Sequence, residues 1–152
     1  MSALFTRRTI VAGAATGVAA AALPRAALAT PDAMAAILKT ILGDKVAKAG
    51  RVKLVIPELA ENGNSVPLTI TVDSPMTAAD HVKTIYVLSP ENPLPDVARF
   101  HLGPRSGTAK VSTSVRLATS QRLMVLAVMA DGSAWTIGGD VIVTMSACID
   151  SG

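Results

Sequence analysis

The residue best suited to covalent chemistry is the single cysteine, Cys148, the fifth residue from the end of the sequence. A cysteine without an internal disulfide partner is either a small buried apolar residue or a reactive thiol. The last predicted strand ends near Met145, and the three residues from there to Cys148 span about 10 Å when extended. Chain termini are loose unless the fold holds them. We therefore expect an accessible thiol on a short, flexible tether.

No other residues form a recognisable catalytic or metal-binding pattern. His81 and His101 each lie near the edge of a predicted strand, where an ordinary polar role is expected. A blue-copper site takes two histidines, a cysteine and usually a methionine, with ligands just after the cysteine. Here the cysteine is followed by Ile149, Asp150, Ser151 and Gly152. Copper is therefore excluded, and no cofactor or metal is predicted; G-x-S-x-G and phosphate-loop motifs are also missing.

The tail also argues against a catalytic cysteine. Such a cysteine needs a positioned base or cation beside it, and residues 146–152 contain no histidine, lysine or arginine. A thiol that carries a group between enzymes needs none, because each enzyme supplies the activation. The sequence therefore favours a carrier over an enzyme. The alternative is an exported structural or interaction protein whose Cys148 only forms an intermolecular disulfide.

The first 29 residues predict export. Arg7 and Arg8 precede an apolar run that continues to Leu23, and the segment closes with the small-residue cleavage pattern Ala27-Leu28-Ala29. This is typical of a secretory signal peptide, and the arginine pair indicates the Tat route. We expect cleavage before Thr30, location in the periplasm and no membrane segment afterwards.

Net charge excludes a nucleic-acid partner. The chain is formally +3, but three of its fourteen basic residues lie in the predicted signal peptide, which holds no acid. From residue 30 onward, eleven basic residues balance eleven acidic ones. A neutral domain has no basic surface to attract phosphates.

The elements that must position the tail are a helix and then strands. Apolar residues from Met34 to Val46 recur at helical spacing, and Gly50 marks the expected end of the helix. From Val52 onward the apolar period falls to two. The predicted strands cover residues 52–56, 68–72, 82–88, 97–102, 110–118, 123–129 and 141–145, with Gly138-Gly139 among the breakers between them.

This order of elements predicts an all-β fold, an immunoglobulin-like antiparallel β-sandwich of about seven strands after a short N-terminal helix. The expected organisation is a signal peptide (1–29), a helix (30–50), a sandwich (51–145) and a tail (146–152). Trp135 is expected to pack in the core or at a sheet edge. Leu123 to Met129 is apolar at nearly every position, which predicts cover on both faces, part of it from another subunit.

Several motifs resemble the SoxY family of the periplasmic thiosulfate-oxidation (Sox) system. The matching stretches follow one another through nearly all of the chain after the signal peptide. They are Val55 to Leu68 (with Glu61-Asn62-Gly63-Asn64), Val72 to Thr77, Glu91-Asn92-Pro93, Arg99 to Leu102, Ser112 to Leu117 and Met129 to Ser133.

The resemblance implies an immunoglobulin-like sandwich, Tat export and a heterodimer with a smaller SoxZ-like subunit. It also implies that Cys148 holds the place of the family's carrier cysteine, on which sulfur intermediates travel as covalent adducts. Other Sox enzymes, visited transiently, add, oxidise and hydrolyse these adducts.

The tail departs from the family pattern, which has two glycines on each side of the cysteine. This chain has Ser146 and Ala147 before Cys148, and Ile149-Asp150-Ser151-Gly152 after it. Ile149 is bulkier and stiffer than glycine. The charge of Asp150 is expected to raise the pKa of the thiol. If the tail lies outside the core, glycines at positions 146, 147, 149 and 150 should leave stability nearly unchanged.

Overall fold

The computed structural model describes residues 31–147. One helix precedes nine strands and a single 3-10 turn in this part of the chain. In chain order they are α1 (Pro31–Leu42), β1 (Lys48–Ala49), β2 (Val52–Val55), β3 (Leu59–Asn62), β4 (Val66–Val72), β5 (Val82–Leu88), β6 (Asp96–His101), the 3-10 turn (Pro104–Ser106), β7 (Lys110–Val115), β8 (Gln121–Met129) and β9 (Ala134–Met145). In this part of the chain, no helix is both long and apolar enough to cross a bilayer.

The strands form two sheets. The larger sheet has the order β1-β9-β8-β5-β6, with β3 also paired to β9, and the smaller has the order β2-β4-β7. The ladders among β9, β8, β5 and β6, and among β2, β4 and β7, are antiparallel. The short strands β1 and β3 both pair with β9 in parallel. The expected all-β sandwich with a short N-terminal helix is confirmed, whereas its immunoglobulin-like topology stays a prediction.

The core lies between the two sheets because alternate residues of each strand point to one face. In β4 the buried residues are Val66, Leu68, Ile70 and Val72, with more exposed residues between them. They pack in one hydrophobic cluster with residues of the facing sheet that include Ile85, Leu123, Val125 and Val141.

The helix ends earlier than the sequence pattern predicted. It stops at Leu42 because Gly43 takes a left-handed φ of 61°. The Gly43 N–H donates to the Lys39 carbonyl at 2.8 Å, which closes the last turn. Val46, assigned to the apolar face from its spacing, is 83% exposed. Gly50, the expected stop, instead follows β1.

The glycine pair Gly138-Gly139 was wrongly predicted to break a strand, since both residues lie within β9. A Cβ on Gly139 would stand 2.9 Å from Leu54 Cδ2 and 3.1 Å from Ile56 Cγ2. Glycine in a strand often marks such a close approach of a neighbour. Gly139 therefore admits side chains of the β2 segment onto β9, and β9 begins seven residues earlier than predicted.

Strand β8 is buried at its centre on both faces, as its composition predicted. Leu123 and Val125 point into the core, and Leu126 on the opposite face is also fully buried. On that outer face, Met34 of α1 and Met124 of β8 line one groove of about 540 Å³.

In the turn between β8 and β9, Ser133 forms two hydrogen bonds to the carboxylate of Asp131. The Ser133 N–H and hydroxyl both donate to Asp131 Oδ1, at 2.8 and 2.6 Å. These hydrogen bonds favour the charged form and lower the pKa of Asp131 below its usual value. Trp135, just beyond the turn, packs against the core with Arg51 over its ring at 5.8 Å, in agreement with its expected packing role.

Candidate functional site

The candidate site is the place where the chain leaves the sandwich towards Cys148. Cys148 and residues 149–152 lie outside the described residues, so the site is defined here by what precedes them. We call Met145, Ser146 and Ala147 the tail root. It lies at the end of β9 remote from the Asp131 turn, because Gln121 at the start of β8 pairs with Val141.

The end of β9 is positioned by β3 and by Ser120. Leu59, Ala60 and Asn62 of β3 pair with Ile142, Val143 and Met145. The Val143 N–H donates to the Ser120 hydroxyl at 2.8 Å. This part of β9 is thus fixed both by pairing with β3 and by a hydrogen bond to the segment that leads into β8.

The tail root is attached to the sandwich by two backbone hydrogen bonds, and a third joins Leu117 to Gly63; we call the three together the root contact. The Gly63 N–H donates to the Met145 carbonyl at 2.8 Å, and the Leu117 N–H donates to the Gly63 carbonyl at 2.7 Å. The Ala147 N–H then donates to the Leu117 carbonyl at 3.3 Å. Ala147 is only 6% exposed, whereas Ser146 is exposed.

The expectation of a free tether beginning at Met145 is therefore wrong for its first two residues. β9 does end at Met145 as predicted, but Ala147 is buried and hydrogen-bonded to the Leu117 carbonyl. The sequence pattern gave no sign of this, because its partners Gly63 and Leu117 are remote in the chain. Asn62-Gly63-Asn64 was noted only within the stretch from Val55 to Leu68 that carries the family resemblance, and no contact with the tail was predicted for it.

A polar network supports the segment that receives Ala147. The Asn92 side chain accepts from the Ala118 N–H at 2.9 Å and donates to the Arg116 carbonyl at 2.8 Å, so it brackets Leu117. Gln121 Nε2 donates to Asn92 Oδ1 at 3.2 Å, and Gln121 Oε1 accepts from the Ser89 hydroxyl. Asn92 of the motif Glu91-Asn92-Pro93 thus holds the segment to which Ala147 is hydrogen-bonded.

The two histidines have local structural partners away from the tail root. His81 Nδ1 lies 3.0 Å from the Thr77 carbonyl, and His101 Nδ1 lies 3.2 Å from the Thr84 hydroxyl. These contacts fit the ordinary polar roles expected for both. Among residues 31–147, no three His, Cys, Asp or Glu side chains are grouped to hold a metal ion.

The docked position of Ala147 predicts a stability difference between two neighbouring glycine substitutions. Ala147→Gly removes a buried methyl group as well as adding backbone freedom, whereas Ser146→Gly adds only the freedom. We expect Ala147→Gly to lower the free energy of unfolding by about 0.8 kcal/mol more than Ser146→Gly does. Urea denaturation of both variants measures this, and equal values would contradict the docking. The earlier expectation of a stability-neutral glycine tail is therefore withdrawn for position 147.

Fold and site together define a class: a two-sheet β-sandwich whose final strand leads through a docked root to a segment with one cysteine. The family model described as "Sulfur oxidation protein SoxY" matches residues 38–148. The chain belongs to the SoxY family, which confirms the resemblance seen in its motifs.

Solved structures share the fold. The sulfur carrier protein SoxY from Chlorobium limicola f thiosulfatophilum is 26% identical, with a TM-score of 0.62 over 75% of this chain and 98% of that one. Superoxide reductase (neelaredoxin) from Ignicoccus hospitalis is 19% identical, with a TM-score of 0.54 over 75% and 93%. The superoxide reductase of Nanoarchaeum equitans is 14% identical, with a TM-score of 0.51 over 63% and 100%. These two likenesses concern the fold alone. No curated protein sequence matches the chain significantly.

Proposed function

We propose that this protein carries sulfur intermediates as covalent adducts on the Cys148 thiol and presents them to separate Sox enzymes. The observation that carries the proposal is that the SoxY match extends to Cys148, the sole cysteine, one residue beyond the tail root. The Chlorobium relative is itself described as a sulfur carrier protein. The protein acts as a carrier and not as an enzyme.

The chemistry of loading assigns the reaction to a partner enzyme. Joining the thiol to thiosulfate forms one S–S bond and releases one proton and two electrons. The electrons pass to the enzyme that performs the oxidation, and the adduct remains on Cys148. The carrier's own task is to hold the thiol where an enzyme can reach it, which the tail root and its attachment serve.

The proposed partner is a SoxZ-like subunit that forms a heterodimer with this chain in the periplasm after Tat export. Leu59 and Ile142, paired across β3 and β9, are 55% and 60% exposed, and Met145 in the tail root is 64% exposed. Exposed apolar side chains along one sheet edge favour burial by a partner. This edge, beside the tail root, is a better candidate surface than the outer face of β8, where Leu126 is already buried.

Mass spectrometry of the protein isolated from its periplasm tests the proposal. We expect a heterodimer with a SoxZ-like subunit, and peptides in which Cys148 carries added sulfur or sulfur oxyanions that dithiothreitol removes. The control is the same preparation reduced before analysis. If Cys148 is found only as a free thiol or in a disulfide with another chain, the carrier function is wrong and the structural alternative holds.

A further inference from the structure

The close contact of Gly63 with the tail root has a consequence for the reach of Cys148. An ideal Cβ at position 63 would stand 2.4 Å from the Leu117 carbonyl oxygen, 2.9 Å from the Ala147 nitrogen and 3.0 Å from Val143 Cγ1. Two of these neighbours are backbone atoms, which cannot move aside as a flexible side chain can. The root contact therefore requires a glycine here for space alone.

Four other described glycines have no backbone atom close to the position of an added Cβ. Gly103 has no heavy atom within 4 Å of an added Cβ, and its φ of −153° is open to any residue. Gly43, Gly107 and Gly132 have positive φ values, so their requirement is conformational. Gly63 is buried and is not among the residues with positive φ. Its role is to let three backbone segments meet.

We propose that Gly63 is a positioning residue that keeps the tail root docked, and that release of Ala147 from Leu117 controls how far Cys148 reaches. This inference rests on the proposed carrier function. While Ala147 is docked, Cys148 is one residue from a fixed point, and consecutive Cα atoms are about 3.8 Å apart. After release the nearest fixed residue is Met145, and three extended residues span about 10 Å. A docked root thus limits the reach of the thiol, and a released root extends that reach towards an enzyme site.

Small changes in free energy are enough to shift the balance between the docked and the released tail root. Ala147 is attached by a single backbone hydrogen bond of 3.3 Å, the longest of the three in the root contact. Its buried side chain is a single methyl group, which adds little hydrophobic stabilisation. A partner enzyme that binds the extended tail can therefore release the root at small cost, and a substitution that disturbs the contact releases it without an enzyme.

Alkylation of Cys148 by two reagents of different size tests the proposal. A bulky polyethylene-glycol maleimide needs the released root, whereas a small maleimide also reaches a thiol beside the docked root. The ratio of the bulky to the small rate cancels changes in the pKa of the thiol. Loss of one net backbone hydrogen bond shifts a two-state population about tenfold. We expect Gly63→Ala to raise the ratio by about that factor, and Gly103→Ala to leave it unchanged.

If Gly63→Ala does not fold, a second pair of variants tests whether release of Ala147 controls the reach of Cys148. Ala147→Asp places a charge at the buried position outside every strand, and Ser146→Asp places the same charge at its exposed neighbour. We expect the ratio to rise in Ala147→Asp and to stay at the wild-type value in Ser146→Asp. An unchanged ratio in Ala147→Asp overturns the proposal. Because these rates require only a thiol at position 148, absence of sulfur adducts would refute the carrier function and leave this result intact.

Discussion

Cys148→Ser is expected to abolish sulfur carriage by this protein while leaving its β-sandwich intact. A serine hydroxyl is not ionised at neutral pH and forms no S–S bond, so no adduct can be held. In a reconstituted system of Sox enzymes, we expect oxidation that depends on this carrier to fall at least about a thousandfold. The loss should persist at every concentration of the Sox enzymes, because the missing thiol belongs to the carrier and no enzyme can replace it.

Two further measurements make this prediction specific. The melting temperature should change by no more than about 2 °C, since substitutions away from the core are nearly neutral. A large fall would instead identify Cys148 as a buried structural residue. In the control, Cys148→Ser is combined with Ser114→Cys, which moves the one thiol to an exposed position on β7. If the control carries sulfur as well as the wild type, the position of the thiol in the tail has no importance.

Gln121→Ala is expected to destabilise the β-sandwich strongly. Gln121 is only 8% exposed, and its side chain bonds Ser89, the Glu91 N–H, Asn92 and the Thr119 carbonyl. Truncation leaves the fully buried Ser89 hydroxyl and other polar groups without partners. Buried groups left in this way cost about 1–3 kcal/mol each, so we expect a loss of about 3 kcal/mol in the free energy of unfolding. The melting temperature should fall by about 10 °C.

The neighbouring residue on the same strand supplies the control. Arg122 forms an ion pair with Asp140 at 2.6 Å, but the two side chains are 64% and 72% exposed. Because exposed ion pairs contribute little, Arg122→Ala should cost less than about 1 kcal/mol. Similar losses in both variants would show that the polar network contributes nothing beyond strand structure. If the network also positions Leu117, Gln121→Ala should raise the bulky-to-small alkylation ratio at Cys148 under conditions where the variant is folded.

The candidate site was predictable in part. A lone thiol after the last strand can be recognised from residue type and local pattern, because both depend only on neighbours in the chain. The docking of Ala147 could not be recognised in this way. It depends on Gly63 and Leu117, which come from other parts of the sequence and meet the tail root through backbone atoms. Backbone hydrogen bonds carry no residue code, and only the glycine, needed for space, leaves a trace in the sequence.

The fold shows the same distinction between features that depend on neighbours in the chain and features that depend on residues distant in sequence. Alternation of apolar and polar residues is a local property, so the sequence by itself determined a strand such as β4 and the face of it that enters the core. Only the tertiary structure decided that Gly138-Gly139 continues β9 and that β3 joins the same strand in parallel. Glycine is intrinsically unfavourable in strands, and β3 has just one buried residue, Ala60. Both segments are extended because side chains or backbone groups distant in sequence pack against them, and no local propensity contains that information.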